Sequence, residues 1–456
     1  MKNIYIEIEV YQREFESRFL IGLQLAKLGF KVYLASRNEI FFNAFSDKLS
    51  PGILHLKDIN STNVHLGYLD ILKKKGFILT SQDEESGVLF DNLNDFISRR
   101  TINSKVFNYI DAFFCWGERD YKFMCSLFPQ FKDKFFLSGS PKFDLCKKES
   151  FFINSEKFKK RNKIKNNYIL ISSNISFPLS LRRMVDRLLM LRSENNKAIS
   201  EFIEKFFFNT ESQNVIILSQ YISLIRHLLE NTDEYEIVLR PHPNETVDDW
   251  IKLLDLKNDR LHIIKEGDLS DFVRYSNFLI HNGCTASIHA ALLKKRIISF
   301  EPNNFNINFF RNFPNSLGYL AKNKDDVINL INSSIEPMPF SDDFKNRILN
   351  YRDDSKSFIY ISTIIEKLSK KIVHKKNKNF KNNIFKSSVK NFLMFFLKKL
   401  KFYKIHTIND HKFPDFKYYK VHEVFEKINY NKDFNGINFK VLNKKILLVE
   451  RVTKQN

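Results

Sequence analysis

Residues 3–36 read NIYIEIEVYQREFESRFLIGLQLAKLGFKVYLAS, and their periodicity decides the fold. Over residues 3–10, Ile4, Ile6, Ile8 and Val10 alternate on one face, the period of a strand. From residue 14 to 28 the period lengthens. Phe15, Phe19, Leu23 and Ala26 share one helical face, and Gly29 ends the helix. KVYLAS (31–36) is the next strand. Strand, helix and strand in so short a span predict a parallel α/β sheet.

The same reading carried outward predicts strands at 77–80 and 112–116, with helices near 88–99 and 118–127. Residues 156–167 (EKFKKRNKIKNN) are polar and basic and read as a linker. A second α/β block follows, with strands at 168–174, 236–240, 261–265, 278–282 and 296–300. Its helices fall near 179–207, 213–230, 285–294 and 342–368. The expected fold class is α/β: two Rossmann-like domains, 1–160 and 168–368, facing a cleft, plus a basic α-helical and α+β tail over 369–456. Ligands of such sheets bind at the carboxyl ends of strands and between halves.

Composition narrows the functional classes. The chain has 456 residues and a formal charge of +21, with 43% hydrophobic and 27% charged side chains. It can bury real cores and is too long for one ordinary domain. Residues 1–366 carry 50 basic and 46 acidic side chains, residues 367–409 carry 13 Lys and no acid, and residues 410–456 carry 10 and 6. The body is nearly neutral and the surplus lies in the last fifth, with no recognised nucleic-acid module beside it. Cys115, Cys125, Cys146 and Cys284 form no CxxC pair and sit at no metal-ligand spacing, which argues against a disulfide framework or zinc site and fits a reducing cytosol. The N-terminus is charged too early for a signal-peptide core. The longest apolar run, Phe392 to Leu397, is far below a membrane span.

Four stretches can carry chemistry. Arg240-Pro241-His242-Pro243-Asn244-Glu245 follows a strand. Its prolines stiffen the loop, and Arg240 and His242 offer donors suited to a phosphate. Its other reading is a rigid turn. His281-Asn282-Gly283-Cys284-Thr285-Ala286-Ser287 joins a strand to a helix whose start suits an anion, with Thr285 or Ser287 adding a hydroxyl. Ordinary capping by Asn282 or Thr285 is the alternative. Together the two loops read as one nucleotide-phosphate pocket, with no GxGxxG and no Walker loop. Asp83-Glu84-Glu85-Ser86-Gly87 is either a solvated acidic loop or a source of a catalytic carboxylate. Arg13 and Glu14, with Glu9 and Arg18 nearby, either face the cleft or form helix-surface pairs. Gly139 and Ser140 mark a tight turn at a cleft edge.

These segments are similar, in order, to bacterial surface carbohydrate biosynthesis proteins. REFESRFLIGLQLAKLGFKVYLAS, GFILTSQDEESGVLF, DAFFCWGERD, LSGSPKFDL, IVLRPHPNETVDDW and HNGCTASIHAALLKKRIISFEP carry the resemblance over roughly residues 1–310. It implies a GT-B-like glycosyltransferase. More distantly, the HP loop and hydroxyl loop resemble those of bacterial sialyltransferases, capsule Kdo transferases and CDP-glycerol glycerophosphotransferases. Those groups bind a cytidine nucleotide's phosphate there, which implies the same for His242, Pro243, Thr285 and Ser287. They use an acid of the N-terminal half as base or nucleophile, which implies Asp83, Glu84 or Glu85. The family has Glu-Glu-Gly where this chain has Glu84-Glu85-Ser86-Gly87.

Residues 386–404 (KSSVKNFLMFFLKKLKFYK) place Phe392, Leu393, Phe396 and Leu400 mostly on one helical side among lysines. A basic amphipathic helix of this kind lies on an anionic membrane surface, each Lys contributing about 1 kcal/mol. A helix packed on the body is the alternative. The expectation is a cytoplasmic enzyme, peripheral on the inner face of the cytoplasmic membrane, that builds surface polysaccharide, lipopolysaccharide or capsule. It would use a nucleotide-sugar donor, CMP-linked, and a glycan or lipid-linked acceptor, with no cofactor, metal or nucleic acid. A CDP-alditol phosphotransferase, a sugar-nucleotide epimerase and a non-catalytic GT-B scaffold are the alternatives.

Overall fold

The computed structural model describes residues 2–147, 154–175, 208–243, 245–302, 312–333, 335–372, 413 and 415–452. They form two compact units. One comprises Met1–Ser86, Phe96–Pro141 and Lys356–Asn456; the other comprises Gly87–Asp95 and Lys142–Ser355.

The first unit is built on six parallel strands: β1 (Asn3–Ile8), β2 (Lys31–Ser36), β3 (Ile53–Leu56), β4 (Ile78–Ser81), β5 (Ala112–Cys115) and β6 (Phe135–Leu137). Their order is β2-β1-β3-β4-β5-β6. Ile4, Ile6 and Ile8 on one face of β1 are fully buried. The helix Tyr11–Lys27 follows β1 directly and packs on β2. Gly22 lets it close in, since a Cβ there would lie 3.1 Å from Leu34 Cδ1. The order reverses direction between β1 and β3, and strand ends that diverge at such a point leave room for a ligand.

The second unit has β7 (Asn167–Ser172), β8 (Tyr235–Arg240), β9 (Leu261–Ile263), β10 (Phe278–His281), β11 (Arg296–Phe300) and β12 (Tyr319–Ala321), all parallel. Their order, β12-β11-β10-β7-β8-β9, is that of a dinucleotide-type Rossmann sheet. Here the reversal falls between β7 and β10. Near-continuous apolar strands (YILIS, EIVL, FLI) suit a sheet covered on both faces. Ile169, Ile171, Ile237, Leu239 and Ile280 join Tyr221, Leu224 and Ile225 of the helix Phe208–Asn231 in one buried core.

Several expectations change. Residues 156–167 are not a linker: Ser155–Asn162 is a helix, capped by Asn154, whose Oδ1 accepts from Glu156 N at 2.8 Å. One apolar residue, Phe158, anchors it edge-on to Phe272 at 4.9 Å, too little signal for a periodicity reading. The expected helix 342–368 is two helices, Asp342–Arg347 and Ser357–Ser369, belonging to different units. The second packs on the helix Tyr11–Lys27, and Lys2 Nζ donates to Ser369 O at 2.5 Å. The units therefore divide at 141/142 and 355/356 rather than after 160 and 368. The short strands β3, β6 and β12 escaped the sequence reading. The expected helix 179–207 and the basic segment 386–404 lie outside the described residues. Among the described residues, no helix is long and apolar enough to cross a membrane.

The largest change concerns the C-terminus. β13 (Ile437–Asn443) and β14 (Ile446–Arg451) form an antiparallel hairpin, and β14 pairs antiparallel with β2, extending the first sheet to eight strands. Leu447 and Val449 are fully buried. The helix Tyr418–Ile428 sends Lys427 to Glu16 at 2.5 Å. Residues 415–452 are thus part of the first unit rather than a loose tail. Leu447→Ala is expected to destabilise the whole chain by about 2–5 kcal/mol through lost burial and the cavity left. Denaturant unfolding measures it, and an unchanged midpoint would show that the hairpin is dispensable.

Candidate functional site

The carboxyl edge of the first sheet collects an unusual density of charge. At the end of β1, Glu7 is fully buried and paired with Arg37, whose Nη2 also reaches Asp58 at 2.7 Å. Glu9 holds Lys57. Glu14 is fully buried; its Oε2 accepts from Glu9 N at 2.8 Å and its Oε1 pairs with Arg13 at 3.3 Å. Burial, opposed by Arg13, pushes the Glu14 carboxyl up. Glu14 is therefore interior and Arg13 half-buried, and neither makes the i,i+4 helix-surface contact expected as the alternative.

The acid loop sorts its three carboxylates into different jobs. Asp83 is 2% exposed, and its Oδ1 accepts from the Glu85 and Ser86 amides, each at 2.8 Å. Burial raises its carboxyl, and Arg100 at 3.0 Å opposes the rise. It shapes the turn. Glu84 is 4% exposed and tied to Arg18 at 2.6 Å. Glu85 keeps 39% of its side chain exposed, between Arg13 and Arg100, each at 3.0 Å. Burial works against its charge, but the two guanidiniums win and draw it down to about 2. Ser86 sits at φ +51°, the left-handed region that glycine occupies freely, and its hydroxyl is held by Asp120. Ser86 thus takes a backbone shape that suits glycine, held by its contacts to Asp83 and Asp120. Gly139 and Ser140 lie beside this loop. Gly139 has φ +72°, its carbonyl accepts from Gln82 Nε2 at 2.7 Å, and Ser140 is buried.

In the second unit the reversal between β7 and β10 brings two loops together. Asn174 Nδ2 donates to Gly283 O at 3.3 Å, and Cys284 Sγ lies 3.4 Å from Ser172 Oγ. Gly283 sits at φ +92°, where a Cβ would come within 2.7 Å of Asn315 Oδ1, so no side chain fits. Its amide donates to His281 Nδ1 at 3.0 Å. Asn282 accepts from Tyr221 OH at 3.1 Å. Neither Asn282 nor Thr285 caps the helix Ala286–Leu292 through its side chain, so the capping alternative falls. That helix has only seven residues, which shifts the weight from its dipole to the loop. Thr285 is half-buried, whereas Ser287 is fully buried and its hydroxyl donates to Cys284 O at 3.1 Å.

The HP loop is fastened to the same edge. Ser173 Oγ accepts from His242 N at 3.1 Å and donates to Glu245 Oε2 at 2.5 Å. Glu245, 1% exposed, also takes Ile175 N at 3.1 Å and Trp250 Nε1 at 2.8 Å. One carboxylate thus sets the loop after β7 and the loop after β8. Pro243 contributes a carbonyl to Lys265 Nζ at 2.9 Å; Asn244 lies outside the described residues. Arg240 differs from expectation. Its guanidinium donates to Glu266 O at 2.9 Å and Gly267 O at 2.8 Å, stacks 4.2 Å over Phe272, and is brought down to about 10 by burial. It braces the sheet edge instead of presenting a fork. Ser172, Ser173 and Asn174 were not among the expected site residues, and Glu245 stood in the HP motif without a role. The signal available was the run Ser-Ser-Asn ending the first strand of the block.

No family model matches the chain, and no curated protein matches it by sequence. Solved structures match through the fold. The wall teichoic acid polymerase TagF superposes with a TM-score of 0.50 at 13% identity, covering 81% of this chain and 89% of that one. S. aureus MnaA with UDP gives 0.47 at 12% identity over 81% and 97% of the two chains. The UDP-GlcNAc 2-epimerase of Neisseria meningitidis bound to UDP-GlcNAc gives 0.46 at 13% over 80% and 100%. The two Rossmann-type sheets and the TagF superposition give this chain a two-domain GT-B-like fold.

Burial holds His281 near 3 and His289 near 4, so both stay neutral in the folded chain. Unfolded, each takes a proton near pH 6.5. Their contribution is therefore intact above that pH and is lost as pH falls towards 4, by about 1.4 kcal/mol per unit for each residue. Thermal midpoints from pH 7 to 4.5 are expected to drop, and His289→Gln to flatten the slope; a slope unaltered in the variant would count against this.

Proposed function

We propose that the chain is a transferase using a nucleotide-activated sugar, CMP-linked, in the synthesis of a cell-surface polysaccharide. The observation that carries the reading is the edge between β7 and β10. There Ser173 and Asn174, the HP loop with His242, and the loop Asn282–Thr285 share one strand-end position of a Rossmann sheet, where phosphates bind. His242, Thr285 and loop amides are the groups that would receive the charge growing on the leaving phosphate. Ser287, Arg240 and Glu245 act behind them.

Of the acid loop, Glu85 is the carboxylate with exposed surface. It would take the proton of the acceptor hydroxyl as the new oxygen–carbon bond forms and the sugar–phosphate bond breaks, the electron pair leaving with the nucleotide. Asp83 and Glu84 are engaged in shaping the loop and pairing Arg18. A CDP-alditol phosphotransferase is the second reading, favoured by the superposition on TagF, a wall teichoic acid polymerase. In that case the acceptor oxygen attacks phosphorus, and the product carries the phosphate.

CMP or CDP is expected to raise the thermal midpoint, and His242→Ala to abolish the rise. Glu85→Gln is expected to lower kcat by about 100-fold or more with donor binding kept. Because Glu85 is held near 2, its ionisation leaves the rate flat from pH 8 down to about 4. No response to CMP, CDP, UDP or GDP would sink the reading. Mass analysis of the acceptor product separates sugar transfer from phospho-alditol transfer.

The basic segment 386–404 supports an anionic membrane surface as a further partner. Ser369 and Phe413, on either side of it, both belong to the first unit. The test therefore keeps the chain whole and replaces Lys398, Lys399, Lys401 and Lys404 by Gln. Flotation with phosphatidylserine vesicles is expected to fall in this variant; equal flotation would remove the membrane partner.

A further inference from the structure

The chain leaves the acid loop in an unusual way. Residues through Ser86 belong to the first unit, Gly87–Asp95 to the second, and Phe96 onward to the first again. The Arg347 side chain holds this excursion. Arg347, on the short helix Asp342–Arg347, is 5% exposed. Its Nη1 donates to Val88 O and Phe90 O, each at 3.0 Å, and its Nη2 reaches Asp91 at 3.1 Å. Its Nε is held by Asp343 at 2.8 Å. The two carbonyl bonds matter most, because Asp91 and Asp343 are largely exposed and their ion pairs are screened.

The other face of the same guanidinium lies 4.6 Å over the Phe313 ring. Phe313 opens the short 3₁₀ turn Phe313–Leu317, which is capped by Asn312 and Asn315. Asn312 Nδ2 donates to Gly283 O at 3.1 Å, and Asn315 Oδ1 lies 2.7 Å from where a Cβ on Gly283 would be. The candidate phosphate loop, the 312–317 turn, Arg347 and the backbone of 88–90 thus form one chain of direct contacts inside the second unit. At its far end, two covalent links separate Val88 from Ser86, which is itself in the left-handed region and tied to Asp83.

We infer that Arg347 is a positioning residue that couples occupancy of the Gly283 loop to the geometry of Asp83, Glu84 and Glu85. It touches no reacting atom. It holds the strand of chain through which a shift of the 312–317 turn reaches the acid loop, so that the carboxylates are set when the donor phosphate is in place. This rests on the nucleotide reading above. A planar fork is needed, since a lysine's single ammonium cannot serve two carbonyls and two carboxylates while stacking on a ring.

The test is hydrogen exchange of the Glu85, Ser86 and Val88 amides in the full chain, with and without saturating CDP. In the native chain, CDP is expected to slow these amides about tenfold. In Arg347→Met the slowing is expected to vanish, with CDP affinity kept within about threefold. Arg347→Lys, which keeps the charge and guards against simple misfolding, is expected to fold with a near-native thermal midpoint and still show no slowing. Slowing retained in both variants, or CDP binding without slowing in the native chain, overturns the coupling and leaves the nucleotide reading standing. No CDP binding at all in the native chain overturns the nucleotide reading, and the coupling with it.

Discussion

Burying Glu7, Glu14, Asp83 and Glu84 at one sheet edge is possible only because Arg37, Arg13, Arg100 and Arg18 come with them. An isolated carboxylate in that position would cost several kcal/mol and would take up a proton instead. Paired, the network does not itself add much stability, but removing either partner of a pair leaves a stranded charge. The loops after β1, β3 and β4 and the first turn of the helix Tyr11–Lys27 are therefore locked to each other by charge balance. Everything the acid loop can do follows from that lock. Two of its carboxylates are occupied in holding shape, and Glu85 alone is left with exposed surface.

The second unit solves the matching problem with few charges. Its strand-end loops are held by Ser173, Asn174, Tyr221, Asn282 and the buried carboxylate of Glu245. Hydrogen bonds among neutral groups, the Glu245 carboxylate, and Lys265 and Arg240 donating to loop carbonyls together hold these loops. On the function proposed above, the ionic edge of the first unit would serve proton transfer and the polar edge of the second would serve phosphate binding.

Legibility in the sequence followed the strength of the local pattern. NIYIEI and KVYLAS alternate, the helix between them has an unbroken apolar face, and the strand-end loops carry Pro and Gly signals, so the sheets and motif positions could be read directly. Phe158 could not announce its helix, because a single buried ring per two turns resembles a basic linker. Arg240 illustrates the limit for side chains. An arginine at a strand end reads as a phosphate fork, yet its donors are consumed by the carbonyls of the 265–267 loop, residues brought near only by β9 lying beside β8.

The amino-acid sequence by itself determined the fold class, the two Rossmann-type blocks and the loops on which chemistry gathers, because periodicity and turn residues act over a few positions. Only the tertiary structure decided which carboxylate is exposed, that Ser172 to Asn174 join the site, that residues 437–451 close the first sheet, and that Arg347 holds the chain beyond the acid loop. Each of those depends on groups far apart in sequence, and the cost of burying a charge or a carbonyl is settled only by what the fold sets beside it.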